Sequence, residues 1–212
     1  MNTEHLAPPE GAIILFDGSG LDDWAKRDGS PAVWPVLDDR STITRGGDIV
    51  SHARFVDFQL HVEFLCNASP ADIKGQGRAN SGIFLQGRYE VQVLDSFGIA
   101  HAPGKGDCGS LYNAAAPLVN ACLPPEEWQT YDIYFRAPRF DAAGTKTAPA
   151  RVTALQNGRL IHNNVELLTQ TGAALDERYD HPGPILLQDH GNDVRFRNVW
   201  ALPLPESGAD VY

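Results

Sequence analysis

Apolar and polar residues alternate along much of this chain with a period of two, the pattern of half-buried strands. Residues 58–64 show it most clearly. Phe58, Leu60, Val62 and Phe64 fall on one face, and Gln59, His61 and Glu63 on the other, toward solvent or a cleft. Residues 128–136 and 151–156 repeat the alternation. Asn157-Gly158 then predicts a two-residue type I′ hairpin turn leading into a returning strand at 159–163. The run Ile13-Ile14-Leu15-Phe16, stopped by Asp17-Gly18, predicts an early strand, and residues 34–37 and 42–50 predict two more. Residues 185–190 and 194–202 read as a closing hairpin around Gly191-Asn192, with Leu186, Gln188 and His190 sharing a face. No segment predicts a helix longer than two turns. About a dozen strands make the expected fold all-β, a sandwich of two antiparallel sheets.

The chain is organised around residues 80–95, Asn-Ser-Gly-Ile-Phe-Leu-Gln-Gly-Arg-Tyr-Glu-Val-Gln-Val-Leu-Asp, which read as two short strands pinched at Gly87-Arg88. Glu90 and Gln92 share a face of the second strand. Asp95 falls on the opposite face by strict counting, and a one-residue bulge near Val93-Leu94 would bring it round to join them. A Glu, a Gln and an Asp in one row suit acid/base work on a sugar; the alternative is a solvated strand face ending in a turn Asp. A loop over 66–79 delivers the chain into this stretch. A long irregular segment, about 96–127, follows it and is expected to form a lid or pocket wall, with Tyr112 brought back over the site.

Composition narrows the partners. At 212 residues with 42% hydrophobic content the chain fits one all-β domain with a real core. Its formal net charge of -10 argues against nucleic acid and anionic membranes as partners. Cys66, Cys108 and Cys122 cannot all pair and form no close-spaced ligand motif, so they are expected as free thiols. Residues 1–10 read as a loose tail without the features of a signal peptide, and no stretch approaches a membrane span. The chain as given is therefore expected to be cytoplasmic, or periplasmic or extracellular if a leader has been removed.

Several motifs, in order, resemble one family. They are Leu-Phe-Asp-Gly-Ser-Gly-Leu-Asp-Asp-Trp near the start, Asn-Ser-Gly-Ile-Phe-Leu-Gln, Tyr-Glu-Val-Gln-Val-Leu-Asp, Glu-Trp-Gln-Thr-Tyr-Asp, Leu-Gln-Asp-His-Gly and Val-Arg-Phe-Arg-Asn-Val. Together they resemble the 3-keto-disaccharide hydrolase domain, formerly a domain of unknown function, over about residues 11–204, leaving 205–212 as a C-terminal tail. The resemblance implies a concanavalin A-like jelly-roll sandwich and a place among enzymes that cleave 3-keto-glycosides. Many members of that family carry export signals. The carboxylate strand is also similar to the Glu-x-Asp-x-x-Glu of laminarinase-type glycoside hydrolases, but here it reads Glu90-x-Gln92-x-x-Asp95. A Gln cannot hold a proton for a nucleophile, and the shorter acid widens the gap between carboxyls, which disfavours double displacement.

A sugar oxidised at its 3-position carries an acidified proton at its 2-position. Removing it gives an enolate that expels the anomeric substituent, and water then adds back, for net hydrolysis. Such chemistry needs a base, a proton donor and a stabiliser for the enolate. Glu90 or His190 would be the base, and Asp95 or Tyr112 the donor. Arg195, Arg197 or a divalent cation held by Glu90, Gln92 and Asp95 would stabilise the enolate, although no closed metal motif is present and no cofactor is required. Asn80, Gln92, Tyr112, Gln188, Arg195 and Arg197 are the expected substrate contacts. Two other readings remain at this point: a carbohydrate-binding module without chemistry, and a conventional glycoside hydrolase. The oligomeric state is not legible.

Overall fold

The computed structural model describes residues 3–206 and is all-β, as expected. The strands are β1 (Ile13–Phe16), β2 (Trp24–Lys26), β3 (Thr42–Ile43), β4 (Ile49–Phe55), β5 (Phe58–Cys66), β6 (Ser81–Leu85) and β7 (Tyr89–Val93), followed by β8 (Trp128–Arg136), β9 (Arg139–Phe140), β10 (Lys146–Ala148), β11 (Ala150–Gln156), β12 (Arg159–Leu167), β13 (Gly183–Leu187) and β14 (Val194–Pro203). A seven-stranded sheet has the order β1-β14-β5-β8-β11-β12, with β3 also on β14; a five-stranded sheet has the order β2-β4-β13-β6-β7. All their pairings are antiparallel. Strands β9 and β10 form a separate two-stranded ribbon. A single 3-10 turn at Gly75–Gly77 is the only helical element among the described residues, and none of their helices is long and apolar enough to cross a membrane.

The two sheets stack through the alternating apolar faces. Phe58, Leu60, Val62 and Phe64 of β5 and Tyr131, Ile133 and Phe135 of β8 meet Ile83 and Leu85 of β6 and Tyr89, Val91 and Val93 of β7, all buried. Tyr89 and Phe135 touch across the sheets with ring centroids 5.4 Å apart, within the range of favourable aromatic pairs. Tyr131 also reaches across: its buried hydroxyl donates to the Gln92 carbonyl at 2.7 Å, tying β7 to the opposite sheet. The turns fall where glycine and asparagine allow left-handed backbone. Asn157 and Gly158 have φ of 51° and 73°, as their sequence requires, and Gln86-Gly87 close the β6–β7 hairpin at 52° and 66°.

Three expectations are corrected. Residues 185–190 and 194–202 do not form a hairpin: β13 pairs with β4 and β6 in one sheet and β14 with β1, β3 and β5 in the other, so Gly191-Asn192 carries the chain between sheets. Residues 34–37 supply only an isolated bridge, Val36 to Thr42. At His61 and Glu63 the polar side of β5 faces neither solvent nor a cleft, whereas Gln59 stays half-exposed. His61 and Glu63 are buried beneath residues 3–6, where Thr3 donates to Asp132 at 2.6 Å and the His5 amide donates to Glu63 at 2.6 Å. The part of the expected N-terminal tail from residue 3 to residue 6 is thus docked on the seven-stranded sheet; Met1, Asn2 and residues 207–212 of the C-terminal tail lie outside the described residues. Cys66, Cys108 and Cys122 are buried free thiols.

Candidate functional site

Strand β7 is an end strand of its sheet, and two loops cover it. Residues 109–112 run along its free edge: the Gly109 amide donates to the Gln92 carbonyl, the Gln92 amide to the Ser110 carbonyl and the Tyr112 amide to the Glu90 carbonyl, at 2.9–3.1 Å. This pairing removes an exposed edge and sets the Tyr112 ring beside the sheet's outer face. Farther along, the Glu90 amide donates to the Thr171 hydroxyl and the Thr171 amide to the Arg88 carbonyl, both at 2.9 Å, which fixes the loop that carries Gly172 and Ala173. That loop is held from beneath by Arg88, whose buried guanidinium donates to Asp176 at 2.6 Å and to the His181 carbonyl at 3.0 Å.

The outcome is a cavity of about 160 Å³ on the outer face of the five-stranded sheet, lined by Gln76, Asn80, Glu90, Gln92, Tyr112, Gly172, Ala173, Gln188 and His190. Six residues expected from the sequence therefore converge: Asn80, Glu90, Gln92, Tyr112, Gln188 and His190. Residues 96–127 supply a wall, through Tyr112. A larger hollow of about 490 Å³ beside Trp24 and Trp34 has Asp22 and His52 as titratable liners, whereas the smaller one has Glu90, Tyr112 and His190.

Glu90 is 4% exposed. Burial, and secondarily the nearby Asp48 carboxylate, push its carboxyl up from 4.5 to about 8. Asp48 is itself tied to Arg27 at 2.6 Å. Gly82, paired with Gln92 on β6 and diagonal to Glu90, lies so close that a Cβ there would stand 2.5 Å from Glu90 Oε1. Around the carboxyl runs a row of carboxamides. Gln92 Nε2 lies 3.1 Å from both Gln76 Oε1 and Asn80 Oδ1, and Asn80 Nδ2 donates to the Gln76 main-chain carbonyl at 2.8 Å. Gln76 Nε2 donates to the Gly106 carbonyl at 2.7 Å, which links residues 66–79 to the long loop. Gln188 Oε1 is buried and without a hydrogen-bond partner, a costly state unless a ligand group donates to it. His190 is exposed at the rim.

Asp95, Arg195 and Arg197 lie elsewhere. The β6–β7 ladder keeps regular register to Val93, where it ends, and Asp95 is not among the residues that line the cavity. Asp95 is instead ion-paired with Arg78 and accepts from the Phe97 amide at 3.1 Å. The oxygen trio suggested for a cation is therefore not assembled, and among the described residues no group of three or more His, Cys, Asp and Glu could hold a metal ion. Arg195 and Arg197 belong to β14, in the other sheet. Arg195 pairs with Asp39, Arg197 with Glu63 and Glu4, and both lie over the Trp128 ring at 5.6 and 3.9 Å. Gln76, Gly172 and Ala173 are the lining residues that sequence reading missed. Gln76 sits in a Gly-rich loop whose only signal was its place four residues before Asn80.

Comparisons with known proteins bear on this geometry. A candidate glycosyl hydrolase from Parabacteroides distasonis, seen by crystallography, superposes with a TM-score of 0.81 at 40% identity over 92% of this chain and 85% of its own. A second one from the same organism gives 0.64 at 21% identity, over 92% and 95%. Alginate lyase Aly36B bound to an alginate trisaccharide gives 0.51 at 6% identity, over 92% and 99%, a likeness of fold alone. No curated protein matches. The sequence model of the 3-keto-alpha-glucoside-1,2-lyase-like domain matches residues 11–202, and the chain belongs to that family.

Proposed function

We propose that this protein cleaves the glycosidic bond of 3-keto-glycosides by elimination across C1 and C2 followed by hydration, with the cavity beside Glu90 as its active site. The observation that carries the reading is a buried carboxyl titrating at about 8, without a second carboxylate among the cavity liners. Retaining glycosidases need two carboxyls about 5–5.5 Å apart and inverting ones need two somewhat farther apart. Gln92 stands on the same face as Glu90, and Asp95 is spent on Arg78. Elimination needs a single acid–base pair beside an acidified C–H bond, and a group poised near neutrality suits it.

The chain's own residues divide the work. Glu90, His190 and Tyr112 are the cavity groups that can carry protons. Asn80, Gln92 and Gln188 offer donors and acceptors to hydroxyls and to the 3-keto oxygen, and the unpartnered Gln188 Oε1 is an acceptor reserved for a sugar O–H. At about 160 Å³ the cavity is smaller than the about 300–1,000 Å³ of typical ligand pockets, so it takes the oxidised ring and leaves the aglycone at the mouth. Tyr112 is the only aromatic liner, whereas a binding module without chemistry would be expected to present an aromatic platform.

The test compares a 3-keto-glucoside with its unoxidised parent under identical conditions. The oxidised substrate should release its aglycone and the parent should remain intact. Comparable rates on both would exclude the reading, because a C2 proton without an adjacent carbonyl is far too weakly acidic for elimination.

A further inference from the structure

Heavy-atom positions do not say which end of an amide is nitrogen; its partners do. The Gly106 carbonyl can only accept, so the end of Gln76 that lies 2.7 Å from it is nitrogen, and Gln76 Oε1 must point into the cavity. The Gln76 main-chain carbonyl also can only accept, so the end of Asn80 at 2.8 Å is nitrogen, and Asn80 Oδ1 must face Gln92. Gln92 thus meets two acceptor oxygens at 3.1 Å and must give them its Nε2. What remains is Gln92 Oε1, 2.9 Å from Glu90 Oε1. Two oxygens at hydrogen-bond distance need a proton between them, and an amide oxygen cannot supply it.

Turning Gln92 over would let it donate to Glu90, and to the Ser81 carbonyl at 3.3 Å. It would also set its oxygen against Gln76 Oε1 and Asn80 Oδ1. Relieving those clashes would turn both of these amides, leaving oxygen against carbonyl oxygen at 2.7 and 2.8 Å. With Glu90 protonated its contact with Gln92 is made in either orientation, so the turn gains only the long contact to Ser81 and loses two short ones.

We propose that three carboxamides, Gln76, Asn80 and Gln92, form a relay that holds Glu90 as a neutral acid, making Glu90 the proton donor to the departing glycosidic oxygen. The role as donor rests on the function proposed above; the protonation itself rests on the amide geometry alone. The other charged or titratable groups around Glu90 are Asp48 beside β4, already paired with Arg27, Asp189 and His190 after β13, and Tyr112 from the edge loop, and none of them is ion-paired with its carboxyl. In the reaction His190 takes the C2 proton, its neutral imidazole being a competent base. The C2–H electron pair becomes the C1=C2 bond, the C1–O bond breaks toward oxygen, and that oxygen takes the Glu90 proton. Glu90 is left as a carboxylate facing an amide oxygen, an arrangement that favours its reprotonation as water adds and His190 gives up its proton. Gln76, Asn80 and Gln92 are positioning residues in this step.

Infrared difference spectra of the full chain, wild type minus Glu90→Gln, read the Glu90 carboxyl directly and without substrate. A carboxylic-acid carbonyl band should be present at pH 7. Gln76→Met removes one of the two acceptors that pin Gln92 and leaves Asn80 Oδ1 alone to hold it; Gln76 is exposed, so the fold should survive. The band's titration midpoint should then fall by about one pH unit or more, a tenfold change in ionisation. Gln76→Glu keeps an acceptor oxygen toward Gln92 and should leave the midpoint at or above the wild-type value. Absence of the acid band at pH 7, or a midpoint that Gln76→Met leaves in place or both variants lower equally, would overturn the relay. Because no substrate enters the measurement, failure of the relay is distinguishable from an error about the reaction.

Discussion

Glu90→Gln should be nearly inactive and, at neutral pH, more stable than the wild type. The first effect follows from removing the only carboxyl at the cavity, a loss of about 10²-fold or more in kcat for a general acid–base group. The second follows from the cost of keeping that carboxyl buried. Its folded-state value of about 8 lies above the ordinary 4.5. Between those two pH values the native state holds a proton that the unfolded chain has released, so wild-type stability falls as pH rises through the window and levels off above about 8. Each pH unit of the window is worth about 1.4 kcal/mol at most. Glutamine has no charge to lose and can donate its amide to Gln92 Oε1 as the neutral acid does. The melting-temperature gap between variant and wild type should therefore be near zero at pH 4.5 and grow to several degrees by pH 8, given about 2–4 °C per kcal/mol for a domain of this size. A gap that is flat with pH would mean that Glu90 is ionised in the folded protein throughout.

Gly82→Ala should separate folding from chemistry at the same place. The added methyl would stand 2.5 Å from Glu90 Oε1 and 3.0 Å from its Cδ and Cγ, closer than real side chains approach. The carboxyl is the flexible partner and must move. Gly82 lies within β6 and is absent from the left-handed backbone positions, so alanine brings no backbone strain and a better strand residue. Circular dichroism and melting should stay close to wild type while kcat drops about 10²-fold, the scale of a misplacement near 1 Å. Retained activity would show that the position of the Glu90 carboxyl does not matter.

Most of the architecture was legible because alternation and turn chemistry are local. The strand at 128–136 and the Asn157-Gly158 turn follow from residues within a few positions of one another. The face shared by Glu90 and Gln92 was legible for the same reason, since the pleat fixes it. What the sequence hid is what depends on partners far along the chain. Gly191-Asn192 looks like a hairpin turn, but the neighbours of β13 and β14 decide that it crosses between sheets. Asp95 could join Glu90 only through an irregularity beyond Val93; it is instead held by Arg78 at the strand end and does not line the cavity. Arg195 and Arg197 alternate on β14 as read, but on a sheet that does not carry the cavity. Gln76 has no periodicity to mark it, because its place comes from a loop held against Gly106.

Elimination across C1 and C2 is written into the isotope content of the sugar product. During turnover of a 3-keto-glucoside in deuterated water, the proton removed from C2 goes to the protein and is exchanged, and hydration returns a deuteron to that carbon. Deuterium should appear at C2 of the product, beyond the level set by spontaneous exchange of the free 3-keto sugar in a control without protein. Product with no enzyme-dependent deuterium at C2, or a covalent glycosyl intermediate trapped on Glu90, would contradict it.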